Sequence, residues 1–451
     1  MGSKQAVTWR GRRPLPLASA AVRLVLAAGC LGAVLLWWLG TSSAVLRTPG
    51  TTATSAAELA GMIAGVLICV QILLLARVPW FERAVGQDQL VGWHRTLGGS
   101  VLGLTLTHVV LILAGGALQD RHSVWAEFWL VTLPQRDVLT ALIGTTLLFV
   151  AGLTSARTAR RHLSYEWWYW IHTGTYVAVF LTFGHQIHAG AHFVGRPVQQ
   201  VIWAVLYLGT AAAVLTWRVL LPLLRIGRHR VRVHSVVRES QGMVSVWLSG
   251  HHLDELQVHA GQFFLFRFLA RGHLSTAHPY SVSALPRQNM MRITVGALGD
   301  HSVAMSDLRP GTLVILEGPF GRFTSGRSRA GKVLLVAGGA GIGPIVALAH
   351  QLRDEGREVV VIHRAPALTD LALRQDMSGH PGLQVIPVLG RRRELGFDPI
   401  SAHRLKDLVP DVADREIYLC GSTGLTAAVI HALRTLHVPV GHIHHEELSL
   451  S

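Results

Sequence analysis

Histidines inside bilayer-length apolar runs constrain this chain more than any other feature. Residues 165–190 (YEWWYWIHTGTYVAVFLTFGHQIHAG) are long and apolar enough to cross a membrane, yet they carry histidines at 172, 185 and 188. An imidazole facing hydrocarbon is costly, so an ionisable residue within a span marks a functional site by default. Residues 90–114 repeat the pattern with His94 and His108. Two histidine-bearing spans predict a metal or haem cage between helices.

The remaining apolar runs set the organisation. Half of the 451 residues are hydrophobic and 15% are charged, too apolar for an ordinary soluble protein. A basic segment, residues 1–16, precedes spans expected at 17–40, 57–76, 90–114, 138–156, 165–188 and 197–221, each near the ~20 residues a bilayer requires. The first run is too long for a signal-peptide core and is expected to stay as a helix. Residues 17–227 therefore read as a six-helix transmembrane domain, and 228–451 as a mixed, charged, globular segment. Arginine crowds the N-terminal segment, the 77–89 and 157–164 linkers and the stretch after the last span (Arg225, Arg228, Arg230), so both termini are expected in the cytoplasm. The formal charge of +15 then reflects membrane orientation and a phosphate-bearing cofactor, not nucleic acid. Cys30, Cys69 and Cys420 lie far apart with no CxxC pair, which argues against a thiolate-held iron–sulfur cluster.

Spans three and five run in the same direction, so His94 can face His172 at one depth and His108 can face His185 at another. Fourteen residues separate His94 from His108, about four turns and ~21 Å on one face. The 13 residues from His172 to His185 leave the second imidazole well off the first one's face at ~100° per residue. Span five must therefore be irregular between them, with a break at Gly174 or Gly184 and a π-bulge equally open. Two stacked bis-histidine haems is the natural reading, since imidazoles ligate iron on both faces. His162, His188 and His192 lie near span ends and read as solvated or loop residues. Arg95 and Arg218 either pair with haem propionates or snorkel.

From about residue 229 short alternating runs (HRVRVHSVV, MVSVWLSG, GQFFLFRFL, MRITVGAL, GTLVILEG) predict strands of a small antiparallel barrel or sandwich over 228–328. Three loop-like elements punctuate it: His278-Pro279-Tyr280-Ser281-Val282-Ser283, Gly299-Asp300-His301-Ser302 and Gly318-Pro319-Phe320-Gly321. A Tyr beside a hydroxyl can lay a ring and a donor against a flat heterocycle. Residues 332–350 (KVLLVAGGAGIGPIVALAH) read as a buried strand, a turn with Gly338, Gly339, Gly341 and Gly343, and a helix opening near Pro344. Glycines at such a turn let backbone amides approach a pyrophosphate. Strand 358–363 ends in His363-Arg364, where a base can meet a 2′-phosphate, and strand 416–419 leads into Cys420-Gly421-Ser422. Strands alternating with helical segments predict a parallel sheet over 329–451.

Taken together these motifs resemble a known pairing. The membrane half resembles the ferric-reductase-like transmembrane domain shared with NADPH oxidases, whose paired histidine spacings match 94/108 and 172/185. The soluble half resembles the ferredoxin–NADP reductase type of flavin module. There the resemblance assigns His278, Pro279, Tyr280, Ser281 and Ser283 to the flavin, and Gly299, Asp300, Ser302, Gly318 and Gly321 to its phosphates. It assigns Gly338, Gly339, Gly341, Gly343, Pro344, Cys420, Gly421 and Ser422 to the nicotinamide nucleotide. The implied fold is an all-α six-helix membrane bundle, a small antiparallel β-barrel FAD domain and an α/β parallel-sheet NAD(P)H domain. The implied function is transfer of electrons from NAD(P)H through FAD and two b-type haems, held by His94, His108, His172 and His185, to an extracytoplasmic acceptor.

Two departures stand out, the first bearing on nicotinamide access to the flavin and the second on the acceptor. Leu448 stands where reductase modules often end in an aromatic that stacks on the flavin, and Ile112 stands where superoxide-forming oxidases carry another histidine. A ferric chelate is therefore the expected acceptor. Superoxide production is the alternative, and a haem-binding carrier subunit of a larger complex is the alternative from another class.

Overall fold

The computed structural model describes residues 16–43, 46–270, 277–296, 304–327 and 330–447. The chain divides into two compact units, residues 1–220 and 221–451. In the first unit the apolar runs form α1 (Pro16–Gly40), α2 (Pro49–Leu74), α3 (Gln87–Asp120) and α4 (Arg136–Ser155). Then follow α5 (Tyr165–Thr173), α6 (Thr175–His188) and α7 (Pro197–Val214). Local signals set their starts. Thr48 caps α2 by accepting from the Thr51 amide, with Pro49 in the first turn, where its missing N–H costs nothing.

Among the described residues five helices are long and apolar enough to cross a membrane: 20–40, 49–74, 89–120, 136–155 and 197–229. The expected span 165–188 is not among them, because it divides at Gly174. The Gly174 amide reaches back to the Trp170 and His172 carbonyls, and the Thr175 hydroxyl donates to His172 O at 2.7 Å. The helix restarts at Thr175. The last long helix also departs from ideal geometry, with a π-helical turn at Leu215–Leu220.

The second unit opens with α8 (Leu221–His229) and six antiparallel strands: β1 (Arg232–Ser240), β2 (Met243–Ser249), β3 (Phe263–Phe268), β4 (His278–Arg287), β5 (Met290–Gly296) and β6 (Val314–Phe320). Their order is β1-β2-β5-β4-β3-β6. Backbone bonds from Val233 to Thr312 and from Val314 to Val231 join the two ends. Alternation along β3 buries Phe264, Phe266 and Phe268 and turns Phe263, Leu265 and Arg267 outward, the period-2 signature of a sheet covered on one face.

Five parallel strands follow: β7 (Lys332–Gly338), β8 (Glu358–Ala365), β9 (Leu383–Leu389), β10 (Glu416–Gly421) and β11 (Ile443–Glu447), in the order β11-β10-β7-β8-β9. Helices α9 (Ile342–Asp354) and α10 (Thr423–Thr435) leave β7 and β10. Residues 333–337 are completely buried, as in a sheet covered on both faces. The strand order reverses between β7 and β10, and such a switch point opens a crevice at the strands' C-terminal ends.

Two loop-like elements of the sequence are strands. His278–Ser283 belongs to β4, and Gly318–Phe320 ends β6. The Pro279 ring is tolerated because β4 changes neighbours: residues 278–281 pair with β3, whereas pairing with β5 starts at Val282. The missing N–H therefore falls before the pairing with β5 begins.

Candidate functional site

In the first unit the four histidines come together as two pairs. His94 and His172 have ring centroids 5.9 Å apart, and His108 and His185 6.3 Å apart. Two nitrogen–metal bonds of about 2 Å, plus a ring radius of about 1 Å on each side, put imidazole centroids on opposite sides of an iron about 6 Å apart. Both spacings fit. The tautomers fit as well. His94 Nδ1 donates to the Gln71 carbonyl at 3.0 Å and His108 Nδ1 to the Ala57 carbonyl at 2.8 Å. A carbonyl can only accept, so each Nδ1 carries the proton and each Nε2 keeps its lone pair for a metal. His172 Nδ1 lies 3.2 Å from Ser155 Oγ, which also accepts from Trp168 Nε1 at 3.0 Å, and the Trp168 ring stacks on the imidazole at 5.1 Å. Gly61 of α2 leaves room for His108, because a Cβ there would sit 2.7 Å from Nδ1.

The other span-end histidines separate. His188 pairs with Asp137 at 2.9 Å and both side chains are exposed. His192 lies in the 189–196 loop, as expected, but is 5% exposed, and its Nε2 donates to Glu58 Oε2 at 3.0 Å, tying that loop to α2. Arg218 donates to the Leu75 carbonyl at 3.0 Å.

In the second unit the glycine turn and Cys420-Gly421-Ser422 meet at the switch point. The backbone of Gly341 lies so close to the Cys420 carbonyl that any Cβ would collide with it. Gly338 stands beside Arg364 across β7 and β8. Gly343 faces Ser283 and Thr294 where α9 packs against the flank of β4 and β5. Pro344 lies in the first turn of α9, and the Ser422 hydroxyl accepts from the Leu425 amide to cap α10. Both helices thus point their N-termini, and their unpaired amides, at the C-terminal edge of the sheet. Burial drives the Cys420 thiol pKa well above its ordinary value and the His363 imidazole down to about 4. Both are uncharged at neutral pH.

On β4 the half-buried Tyr280 ring stacks with His278 at 6.1 Å, and burial pushes its phenol up to about 12. Ser283 turns inward, accepting from Arg292 Nε at 3.0 Å and from the Thr294 hydroxyl at 2.8 Å. Gly318 accepts from Arg225, and Gly321 from Gln262. Arg364 spends its guanidinium on the carbonyls of Ala365, Val388 and Gly390, joining the ends of β8 and β9. Gly299, Asp300, Ser302 and Leu448 lie outside the described residues.

The sequence did not point to the Gln71 and Ala57 carbonyls, because main-chain acceptors leave no residue signature. Trp168 was legible, four residues before His172 and so on the same helix face.

The bundle with its paired imidazoles and the sheet with its switch-point glycines define a membrane protein joined to a nucleotide-binding module. Residues 60–183 match the family described as "Ferric reductase like transmembrane component". The chain is 27% identical over 237 residues to the glycine betaine monooxygenase reductase subunit of Chromohalobacter salexigens, covering 49% of this chain and 64% of that one. It is 26% identical over 211 residues to an NADPH oxidoreductase of Mycobacterium tuberculosis, covering 44% and 54%. It thus spans less than two thirds of either relative. Among solved structures it resembles a ferredoxin reductase in carbazole 1,9a-dioxygenase (20% identity, TM-score 0.42, 49% of this chain and 68% of that one). The chain is thus similar to the ferric-reductase-like transmembrane family over residues 60–183 and to reductase components over about half of its length.

Proposed function

We propose that this protein is a transmembrane oxidoreductase. It draws electrons from cytoplasmic NAD(P)H, NADPH above NADH, and delivers them through FAD and two b-type haems to an extracytoplasmic acceptor, a ferric chelate before dioxygen. The observation that carries this reading is the pair of imidazole pairs, each about one iron apart and stacked along α3. When bound, FAD accepts hydride and the haems pass single electrons.

The chain's own residues bind and orient. His94 and His172 would hold the inner haem and His108 and His185 the outer one. The Gln71 and Ala57 carbonyls fix the orientation and tautomer of two of these rings. Tyr280 offers the flavin a flat ring and a phenol that stays protonated. Pro279 lies in the 278–281 segment, which pairs with β3, and Gly299, Asp300, Ser302, Gly318 and Gly321 would serve the flavin's phosphates. The turn from Gly338 to Pro344 and Cys420-Gly421-Ser422 frame the nicotinamide nucleotide. Ile112, with no second imidazole to offer dioxygen, favours the ferric acceptor.

Purified protein given NADPH should contain two b-type haems per chain and reduce a ferric chelate without oxygen. His108→Ala or His185→Ala should lose one haem and stop delivery to the chelate while NADPH still reduces FAD. Unchanged haem in both variants would sink the ligand assignment. Dye reduction wholly abolished by superoxide dismutase would turn the reading to an oxidase.

A further inference from the structure

We propose that Asp137 and His188 form the docking site of a transition-metal acceptor, directly beyond the outer imidazole pair. This rests on the reading of His108 and His185 as the last electron-transfer station and names where the substrate meets the chain.

Placement is the first argument. His188 follows His185 by three residues on α6, so the two rings are neighbours on one face, ~4.5 Å apart along the axis. Asp137, in the first turn of α4, leans over the same point: its Oδ1 lies 3.2 Å from where a Cβ on Gly184 would sit. Gly184 thus leaves the carboxylate room beside His185. A metal held by Asp137 and His188 would lie within about one helical turn of the outer pair.

Donor chemistry is the second. His188 Nδ1 donates to Asp137 Oδ2 at 2.9 Å. Two metal bonds of about 2.1 Å meeting at a right angle hold their donor atoms about 3 Å apart. A cation can therefore replace that proton without moving either side chain far. One imidazole nitrogen and one carboxylate oxygen suit iron and copper ions and are a poor set for a soft metal.

Access is the third. The His188 and Asp137 side chains are 65% and 45% exposed. By contrast, the neighbouring carboxylate–imidazole pair, Glu58 and His192, is 20% and 6% exposed and serves as a latch. Two protein ligands bind weakly enough to release a product. The remaining coordination positions stay with the chelator, so the fitting substrate is a chelate that leaves two adjacent positions open. One electron from the outer station reduces Fe(III) to Fe(II), and the proton displaced from His188 returns when the product leaves. Each NAD(P)H supplies two such electrons and releases one proton.

The test uses the full-length, haem- and FAD-loaded protein in nanodiscs with two probes. In the first, Cu(II) alone is titrated and followed by electron paramagnetic resonance. Wild type should bind one more copper per chain, with one nitrogen ligand from this site, than His188→Ala or Asp137→Asn. Asp137→Glu keeps the carboxylate and should retain that copper, and haem content reports that each variant folds. Copper binding equal in wild type and in both ligand-removing variants would overturn the site. The second probe is Fe(III)–nitrilotriacetate, a tetradentate complex with two open positions. Asp137→Asn and His188→Ala should each raise its KM at least tenfold. If copper is lost but KM does not move, the pair binds metal without being the acceptor site, and the proposal fails. If wild type does not reduce the chelate at all, the functional reading fails, whereas the copper titration still decides the site.

Discussion

Replacing Gly61 by alanine tests the outer imidazole pair without touching either imidazole. The added methyl would lie 2.7 Å from His108 Nδ1, 3.1 Å from Cε1 and 3.2 Å from Cγ. Ordinary contact between such atoms is about 3.4 Å, so the ring must retreat by about 0.7 Å. Metal–ligand distances tolerate about 0.2 Å. A retreat more than three times that size breaks a bond to iron or forces α2 away from α3. It also draws Nδ1 off the Ala57 carbonyl. The lost hydrogen bond costs about 1 kcal/mol, and the buried donor left without an acceptor costs about 1–3 kcal/mol. Pyridine haemochrome quantification should show haem per chain falling from two toward one, with FAD content unchanged. Gly99→Ala is the matched control, because nothing lies within 4 Å of its added methyl, and it should keep both haems. Two haems with an unshifted spectrum in Gly61→Ala would refute the geometry argued for His108.

Three further outcomes are expected. Gly341→Val drives a branched side chain into the Cys420 carbonyl and should abolish NADPH binding, measured by calorimetry, while FAD stays bound; retained NADPH affinity would show that this turn is not the nucleotide site. Arg364→Ala should narrow the NADPH/NADH selectivity ratio and, having lost three carbonyl bonds, should also lower the unfolding temperature of the soluble unit; stability loss with unaltered selectivity would leave Arg364 a strut between β8 and β9. His363 is 2% exposed and titrates near 4 when folded against about 6.5 when unfolded. The unfolded chain therefore takes up the proton first, so stability is full above pH 6.5 and falls by up to about 3 kcal/mol as pH drops toward 4. In thermal unfolding followed by flavin fluorescence, His363→Asn should lose less stability than wild type between pH 7 and 5, and equal losses would remove this source of acid sensitivity.

How much of this was legible beforehand differs by element. The two depths of the histidine pairs followed from the 14-residue spacing on α3, because a regular helix converts spacing into face and height. The irregularity in the partner span was legible too, since 13 residues cannot return an imidazole to its starting face. The structure placed it at Gly174. Local pattern misled at His278–Ser283 and Gly318–Phe320. Pro and Gly read as loop punctuation, yet β4 accepts Pro279 where its second neighbour has not begun pairing. Arg364 could be recognised as a base at a strand end, but a sequence does not say which acceptors a guanidinium finds. Here they are three main-chain carbonyls.

By itself, then, the sequence determined the helical membrane half, the parallel sheet, the four span histidines and the glycine turn. Each depends on periodicity, length or composition within a short stretch of chain. Tertiary structure alone decided that Gln71 and Ala57 orient the imidazoles, that Gly61 makes room for His108, that Gly341 abuts Cys420, and that Asp137 meets His188. Those contacts join residues far apart in the chain, through main-chain atoms or through the absence of a side chain, and neither leaves a mark in local sequence.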